Sequence, residues 1–168
     1  LGALAAVLMV AGFGIKAGMV PLHVWLPLAH PAAPVPGSAV LSGAIVKAGL
    51  IGGIAFIPVE VMPGLSGSVL ALGLAGAFGG ALWGLTQRDP KAVLAYSTIS
   101  QMGLMLALAV SAGARVAPYY ALHHGLAKGA LFLAVGVFLA AGNARERRMV
   151  LVLAGMIALS VAGLPFTG

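Results

Sequence analysis

Cysteine and charged side chains are scarce in this sequence. It has no cysteine, and only 7% of its residues are Asp, Glu, Lys or Arg, whereas ordinary soluble domains carry about 25%. Without cysteine the chain cannot form disulfides, thiolate metal sites or cysteine-bound iron–sulfur clusters. Its four histidines show no metal-ligand spacing. We therefore expect no metal, no cofactor and no catalytic chemistry of its own, so any redox chemistry belongs to a partner.

The sequence is instead rich in apolar residues. Hydrophobic residues make up 61% of its 168 positions, and the mean hydropathy is +1.11, which predicts an integral membrane protein. The chain opens on Leu1 and stops at Gly168, which favours residues 1–168 being one membrane domain that is a fragment of a longer polytopic protein. The net charge of +6 favours positive-inside topology over nucleic-acid binding, because the basic groups lie in short connections.

Apolar runs of about 20 residues cross a bilayer as helices. This template predicts an all-α, polytopic transmembrane helix bundle of about six spans, with a short amphipathic piece at 22–28 and a rigid proline-rich connection after it. The predicted spans are 1–15, 39–57, 68–86, 92–111, 116–141 and a last one from about 149 onward. Breaks are expected in the first and last spans, at Gly14, Gly18 and Pro21 and at Gly163 and Pro165.

Basic residues predict which side each connection faces. The connections after the third and fifth spans carry five Lys or Arg residues, against Arg115 alone after the second and fourth. The richer connections are therefore expected on the cytoplasmic side, and by parity the stretch 16–38 joins them.

Three lysines interrupt the apolar stretches: Lys16, Lys47 and Lys128. Lys47 and Lys128 lie within one residue of the midpoints of their predicted spans. A lysine at the bilayer midplane must face the protein interior, hydrated or paired. Burial favours the neutral amine, so such a lysine can exchange its proton when a neighbouring charge changes. A purely structural buried lysine is the alternative.

Histidine and a helix break extend this pattern. His124 and Lys128 are four residues apart and share a helix face, which predicts two steps of one proton pathway. For the adjacent His123 we favour a hydrogen bond between helices, and a place in the pathway or its entry is the alternative. Lys16 lies in the predicted break, and broken helices at membrane depth are tolerated where they line a polar cavity.

Further polar residues are candidates for the pathway or for proton uptake into it. A patch on the fourth span has two pairs at i, i+4 spacing, and two histidines flank Trp25, itself a predicted interfacial anchor. These candidates are Tyr96, Ser97, Ser100, Gln101, His23 and His30. The glycines of the third span, by contrast, predict close helix packing, because no phosphate-binding motif accompanies them.

Five stretches of the chain have a distinctive wording. They are 12–34 (GFGIKAGMVPLHVWLPLAHPAAP), 38–49 (SAVLSGAIVKAG), 94–103 (LAYSTISQMG), 124–133 (HGLAKGALFL) and 163–165 (GLP). Together they closely resemble the antiporter-like proton-translocating subunits shared by respiratory complex I, Mrp-type sodium/proton antiporters and membrane-bound hydrogenase complexes. The wording of 29–34 looks most like the large membrane subunit of hydrogenase-4 and formate hydrogenlyase complexes.

The resemblance implies a fold of about fourteen helices with two inverted repeats, of which this chain is the seventh helix to the start of the twelfth. It implies that Lys16 is the lysine of the broken seventh helix, Lys47 the bridging lysine of the eighth, and His124 with Lys128 the relay of the eleventh. The glutamate partner of Lys16 would lie upstream of Leu1, and a terminal charged residue beyond Gly168. Leu28 stands where many relatives carry an acidic residue, and Gln101 stands where several relatives carry a histidine.

These observations predict a proton-translocating subunit in a bacterial inner membrane, crossing it several times. Its expected partners are the lipid bilayer, other membrane subunits and, through them, a redox module, with sodium exchange left open. Two alternatives stay open: a non-conducting scaffold subunit of the same kind of complex, and a secondary transporter of another cation or solute.

Overall fold

In the computed structural model, residues 2–57, 63–113 and 115–162 are described, and every regular element within them is a helix. The seven helices of these ranges are α1 (Ala3–Ala17), α2 (Trp25–Ala32), α3 (Val35–Phe56), α4 (Pro63–Leu85), α5 (Pro90–Ser111), α6 (Val116–Ala140) and α7 (Ala144–Val161). The predicted all-α fold is confirmed.

Four of the helices in the described ranges, α3 to α6, are long and apolar enough to cross a membrane. The expected count was about six, but α1 has only 15 residues, and α7 begins with a charged turn. Large apolar side chains cover the outside of the bundle, among them Phe78, Leu85, Leu122 and Leu126. Such a surface suits lipid, and the chain is a membrane-embedded helix bundle.

The first helix ends later than predicted. Gly14 was expected to break it, but α1 continues through Ala17 and ends at Gly18, which has a positive φ of 70°. The amide of Met19 donates to the Gly14 carbonyl (2.8 Å) and that of Gly18 to the Ile15 carbonyl (3.1 Å). These two bonds form a Schellman motif, which a glycine in the left-handed region favours. Pro21 lies in the turn that follows.

Helix α2 covers Trp25–Ala32 instead of the predicted 22–28, and it runs through part of the stretch expected to be a rigid, non-helical connection. Pro27 is tolerated because amides in the first turn lack intrahelical acceptors. Pro31 lies inside the helix near its end, where it forfeits one backbone hydrogen bond. The indole N–H of Trp25 donates to the Ile15 carbonyl (2.8 Å), so this residue ties α2 to the end of α1.

Helix α3 starts at Val35, four residues before the predicted span, because Pro36 fits the first helical turn. It contains one π-helical turn, Leu41–Ile45. Here the amide of Val46 donates to the Leu41 carbonyl, one residue further back than in an α-helix.

Helix α7 begins at Ala144, about five residues before the prediction. The side chain of Asn143 accepts from the Glu146 amide (2.9 Å), and the Glu146 carboxylate accepts from the Gly142 amide (3.0 Å). These two bonds cap the start of the helix within the basic stretch, so its arginines belong to a helical turn and not to a loop. The break predicted at Gly163 and Pro165 lies outside the described residues.

Glycines allow α4 and α5 to pack closely, as predicted. A Cβ on Gly103 would lie 2.5 Å from the Gly73 carbonyl oxygen, and one on Gly80 would lie 2.6 Å from the Ser100 amide. Helix α5 is central and contacts α2, α4 and α6, while α3 lies against α6 with its first half and against α1 with its second. The apolar core includes Leu26, Val46, Leu50, Ile99, Met102, Met105 and Ala121.

Candidate functional site

Two of the three predicted lysines are buried in the centre of the bundle. The side chain of Lys128 is 1% exposed and that of Lys47 is 5% exposed. Lys128 is the middle residue of α6, and Lys47 is close to the middle of α3. The Lys128 ammonium points towards α5, and the Lys47 ammonium points towards the backbone of its own helix, α3.

Polar groups of α5 hold Lys128. Its ammonium donates to the Ser97 hydroxyl and to the Leu94 carbonyl oxygen, at 3.3 Å. The Ser97 hydroxyl donates to the same Leu94 carbonyl (3.0 Å). The lysine is thus solvated by a neutral hydroxyl and a backbone carbonyl.

Lys47 is held by its own helix, through the π turn. In an α-helix the Val46 amide would donate to the Ser42 carbonyl. In the π turn it donates to the Leu41 carbonyl instead, so the Ser42 carbonyl does not receive it. The Lys47 ammonium donates to that Ser42 carbonyl. The local widening of α3 therefore supplies the acceptor that a buried ammonium needs.

A pair of buried hydroxyls connects the surroundings of the two lysines. The Ser42 and Thr98 oxygens lie 2.8 Å apart in a hydrogen bond between α3 and α5, and neither residue is exposed. The Thr98 hydroxyl also lies 2.9 Å from the Leu94 carbonyl, an acceptor of Lys128. A chain of short polar contacts thus runs from Lys47 through α3 and α5 to Lys128.

Sequence reasoning missed Ser42 and Thr98. Both lay inside stretches that were singled out, but neither is titratable or spaced at i, i+4 from a lysine. Ser42 precedes Lys47 by five residues, a spacing that faces the lysine only where a helix has a π turn. The sequence offered only a polar residue near a lysine, and the π turn that brings the two together is visible only in the structure.

His124 is fully buried beside the lysines on α6, as its spacing from Lys128 predicts. Neither ring nitrogen has a hydrogen-bond partner among the described residues. The helices cross closely here, because a Cβ on Gly125 would lie 2.6 Å from the Gly43 carbonyl oxygen. The missing side chain of Gly125 therefore lets α3 approach α6 closely beside His124.

His30 reaches the same interior from α2. It is fully buried, its ring stacks on that of Phe132 with centroids 4.5 Å apart, and the charge of Lys128 acts on it. Its carbonyl accepts from the Ser38 hydroxyl (3.0 Å). Phe132 is one turn beyond Lys128 on α6, so His30 joins the buried cluster from the end where α2 meets α3.

The predicted polar patch of α5 divides between two neighbours. Ser97 faces α6, and Gln101 accepts there from the Tyr120 hydroxyl. Ser100 donates to the Ala77 carbonyl of α4 (2.6 Å), and Tyr96 lies beside Gly84 of the same helix. Only Ser97 and Gln101 face α6, the helix that carries His124 and Lys128.

The side chains of two histidines and of Lys16 lie outside the cluster. His123 forms a 2.8 Å hydrogen bond with Ser160, the link between helices that we favoured, and His23 lies half-buried near the Trp83 ring. Lys16 is exposed in the last turn of α1. The main chain of Lys16 packs against Gly49, two residues beyond Lys47 on α3, whereas its side chain is exposed, and its role stays a prediction.

The cluster is cationic and has an opening. The acidic residues of the described ranges, Asp89 and Glu146, are exposed at helix starts, and no group of three potential metal ligands occurs in these ranges. An open groove of about 670 Å³ between α3 and α6 is lined by alanines, glycines and larger apolar side chains, and it reaches Lys47. Lys91 donates to the Ala33 carbonyl (2.7 Å), so the α2–α3 turn lies at the same end of the bundle as the α4–α5 turn, as parity predicted.

Known proteins are similar to this chain in sequence and in fold. Hydrogenase-4 component B of Escherichia coli (strain K12) is 39% identical over 161 residues, which are 82% of this chain and 24% of that protein. NADH-quinone oxidoreductase subunit M of Pseudomonas aeruginosa is 35% identical over 144 residues, or 81% of this chain and 28% of that protein. The chain thus spans 24–28% of the length of these curated relatives.

A solved structure and a family model agree with these relatives. A chain in the structure of the Mrp complex from Dietzia sp. DQ12-45-1b matches 97% of this chain with a TM-score of 0.83 and 28% identity, and 33% of that chain is covered. The family model for "NADH:quinone oxidoreductase/Mrp antiporter, TM" matches residues 2–168. The chain therefore belongs to the transmembrane family of NADH:quinone oxidoreductase and Mrp antiporter subunits.

Proposed function

We propose that the chain is the proton-conducting part of a membrane subunit, and that protons cross the bilayer midplane through Lys47, His124 and Lys128. The observation that carries this proposal is a pair of buried lysines that face no carboxylate among the described residues. A charged lysine at the centre of a membrane helix costs about 2.5–3.5 kcal/mol even by the lowest scales, so it is retained for a function.

The surroundings of the lysines suit reversible protonation. Each ammonium is held by neutral oxygens, which solvate the charged form without fixing it as a carboxylate would. Charge on one lysine disfavours charge on the other, because the two groups repel each other in a low-dielectric interior. A proton arriving at one site therefore favours release from the other.

We also place Lys16 and His30 on the proposed path. By family resemblance Lys16 is its first lysine, and His30 is a buried titratable group near Lys128 at the end of the bundle that carries Lys91. We propose that this end is cytoplasmic and that protons are taken up there, because the connection holding Arg88 and Lys91 is basic.

The relatives suggest the wider setting. They are named as parts of hydrogenase-4, NADH-quinone oxidoreductase and an Mrp complex. We propose that this subunit lies in a bacterial inner membrane beside other membrane subunits. Its proton movement is coupled either to a redox module in that complex or to sodium exchange.

Proton uptake into inverted membrane vesicles tests the proposal, with the full-length protein in its complex and assembly quantified. Lys128→Met keeps the length of the side chain and removes the charge, and we expect uptake to fall at least about tenfold. Arg88→Met is the matched control, because Arg88 is an exposed cation in a turn.

The outcomes separate the alternatives. Undiminished uptake in Lys128→Met, Lys47→Met and Lys16→Met variants would identify a scaffold subunit. Transport of another solute that depends on Lys128 while proton uptake does not would identify a secondary transporter of that solute. Loss of uptake in Lys128→Met with an active Arg88→Met control supports proton conduction.

A further inference from the structure

The Leu94 carbonyl has more donors around it than it can bind well. The Thr98 hydroxyl lies at 2.9 Å, the Ser97 hydroxyl at 3.0 Å and the Lys128 ammonium at 3.3 Å. Within α5 the same oxygen is also the helical acceptor of the Thr98 amide. A carbonyl oxygen has two lone pairs, so these four donors compete for it.

Thr98 has a second acceptor within reach. Its hydroxyl carries one proton, which can point to the Leu94 carbonyl or to the Ser42 hydroxyl oxygen at 2.8 Å. Either member of the Ser42–Thr98 pair can be the donor. Because Thr98 is fully buried, a Thr98 proton that pointed to neither acceptor would be unsatisfied, which is costly.

We propose that Thr98 is a positioning residue that acts as a hydrogen-bond switch between Lys128 and the π turn holding Lys47. When Lys128 is charged, its ammonium takes the Leu94 carbonyl, and Thr98 donates to Ser42. When Lys128 is neutral, Thr98 returns to the carbonyl, and the Ser42 hydroxyl donates to Thr98. This inference rests on the proposed function, which it deepens.

The switch links the two lysines without moving a helix. Ser42 holds Lys47 through its carbonyl and meets Thr98 through its hydroxyl. Reversing the O–H dipole of Ser42 changes the local field beside that carbonyl, and local fields act strongly in a low-dielectric interior. The charge on Lys128 therefore reaches the site of Lys47 through a rotating hydroxyl as well as through space.

Other titratable groups near the switch define what its pH dependence reports. The titratable groups around Lys128 and its neighbours are His123 and His124 on α6, His30 on α2, Lys47 on α3 and Lys91 on α5. The atoms of α5 that contact Lys128 are neutral oxygens, Lys91 lies in the first turn of that helix, and on the side of α7 His123 pairs with Ser160. Neither Thr98→Val nor Ser42→Ala replaces any of these groups.

Two substitutions move the switch in opposite directions, and both are measured as proton uptake against pH by the full-length protein in its complex. Thr98→Val keeps the shape and removes the hydroxyl, so one of the donors that compete with Lys128 for the Leu94 carbonyl is lost. Because the charged lysine is then favoured, we expect the half-maximal rate to move to higher pH by about 0.5 unit or more.

Ser42→Ala removes the alternative acceptor of Thr98. The Thr98 hydroxyl then stays on the Leu94 carbonyl and competes with the ammonium, so we expect a shift to lower pH. The double variant should behave as Thr98→Val alone, because it also lacks the switching hydroxyl. Thr98→Ser should restore the wild-type profile.

The matched control is Thr86→Val, because Thr86 is an exposed threonine whose hydroxyl bonds to the Trp83 carbonyl (2.8 Å). Its profile should not change. If both Thr98→Val and Ser42→Ala leave the profile unmoved, or both move it in the same direction, the switch is refuted.

Lys128→Met is measured in parallel. If this variant is inactive while Thr98→Val and Ser42→Ala keep the wild-type profile, the switch is wrong and the proton path stands. If Lys128→Met is fully active, the proposed function itself is wrong.

Discussion

The surroundings of Lys128 and of Lys16 differ, although both lysines interrupt apolar stretches. Lys128 is 1% exposed and is held by oxygens of a neighbouring helix. Lys16 is exposed in the last turn of α1, beside the glycine that ends the helix. An apolar stretch thus shows that a lysine is unusual, but only the packing of helices around it shows what solvates the charge.

The largest expected difference between these two sites follows from arginine substitution. Lys128→Arg puts a larger, permanently charged group into a filled interior, so we expect a loss of about 1–3 kcal/mol of stability and no proton uptake. Lys16→Arg should unfold like the wild type, because its side chain is exposed, but it should also lose uptake, since arginine does not release its proton.

Thermal unfolding of the purified complex and vesicle uptake test this pair of variants. Equal stability losses at both positions would contradict the difference in burial. Normal uptake by Lys16→Arg would remove Lys16 from the proposed path while leaving Lys128 on it.

Thiol labelling sharpens the same comparison, and the described chain contains no native cysteine to interfere. We expect Lys16→Cys to react with a small water-soluble thiol reagent at least about tenfold faster than Lys128→Cys, since reactivity follows exposure and thiolate content. The rates are measured by mass spectrometry on the assembled complex. Equal rates would mean that other parts of the full-length protein cover residue 16 or that water reaches residue 128 freely.

The smallest effect concerns the turn beside Lys16. Gly18→Ala forces a side chain into the left-handed region, and its Cβ would lie 3.1 Å from Leu26. We expect a loss of about 1–2 kcal/mol in stability. Gly67→Ala is the control, because that exposed helical glycine has nothing within 4 Å of a new Cβ. It should be neutral or stabilising by about 0.5–1 kcal/mol.

Unfolding of the two glycine variants is followed under one detergent condition. A Gly18→Ala protein as stable as Gly67→Ala would mean that the end of α1 does not depend on a left-handed residue.

Much of the fold could be read from the sequence. The apolar runs predicted α5 and α6 to within two residues at either end, because long uncharged stretches have few alternatives to a membrane helix. Proline positions were less informative. Pro27 and Pro31 belong to α2, since a proline near a helix end loses little hydrogen bonding.

The candidate site was predictable where one helix sufficed. The i, i+4 spacing put His124 and Lys128 on one face, and both are buried. It failed where several helices meet. Ser42 and Thr98 come together from α3 and α5, 56 residues apart in sequence, and the same four-residue polar patch of α5 faces two different neighbours.

By itself the sequence determined that this protein is embedded in a membrane, that its elements are helices and that three lysines lie in apolar stretches. These follow from composition and from the length of the apolar runs, which are properties of the chain alone. Tertiary structure decided which lysines are buried, which oxygens hold them and how their sites connect. The physical reason is that a buried charge is solvated by groups that the fold brings to it. Oxygens of a neighbouring helix solvate Lys128, and a carbonyl made available by the π turn of α3 solvates Lys47.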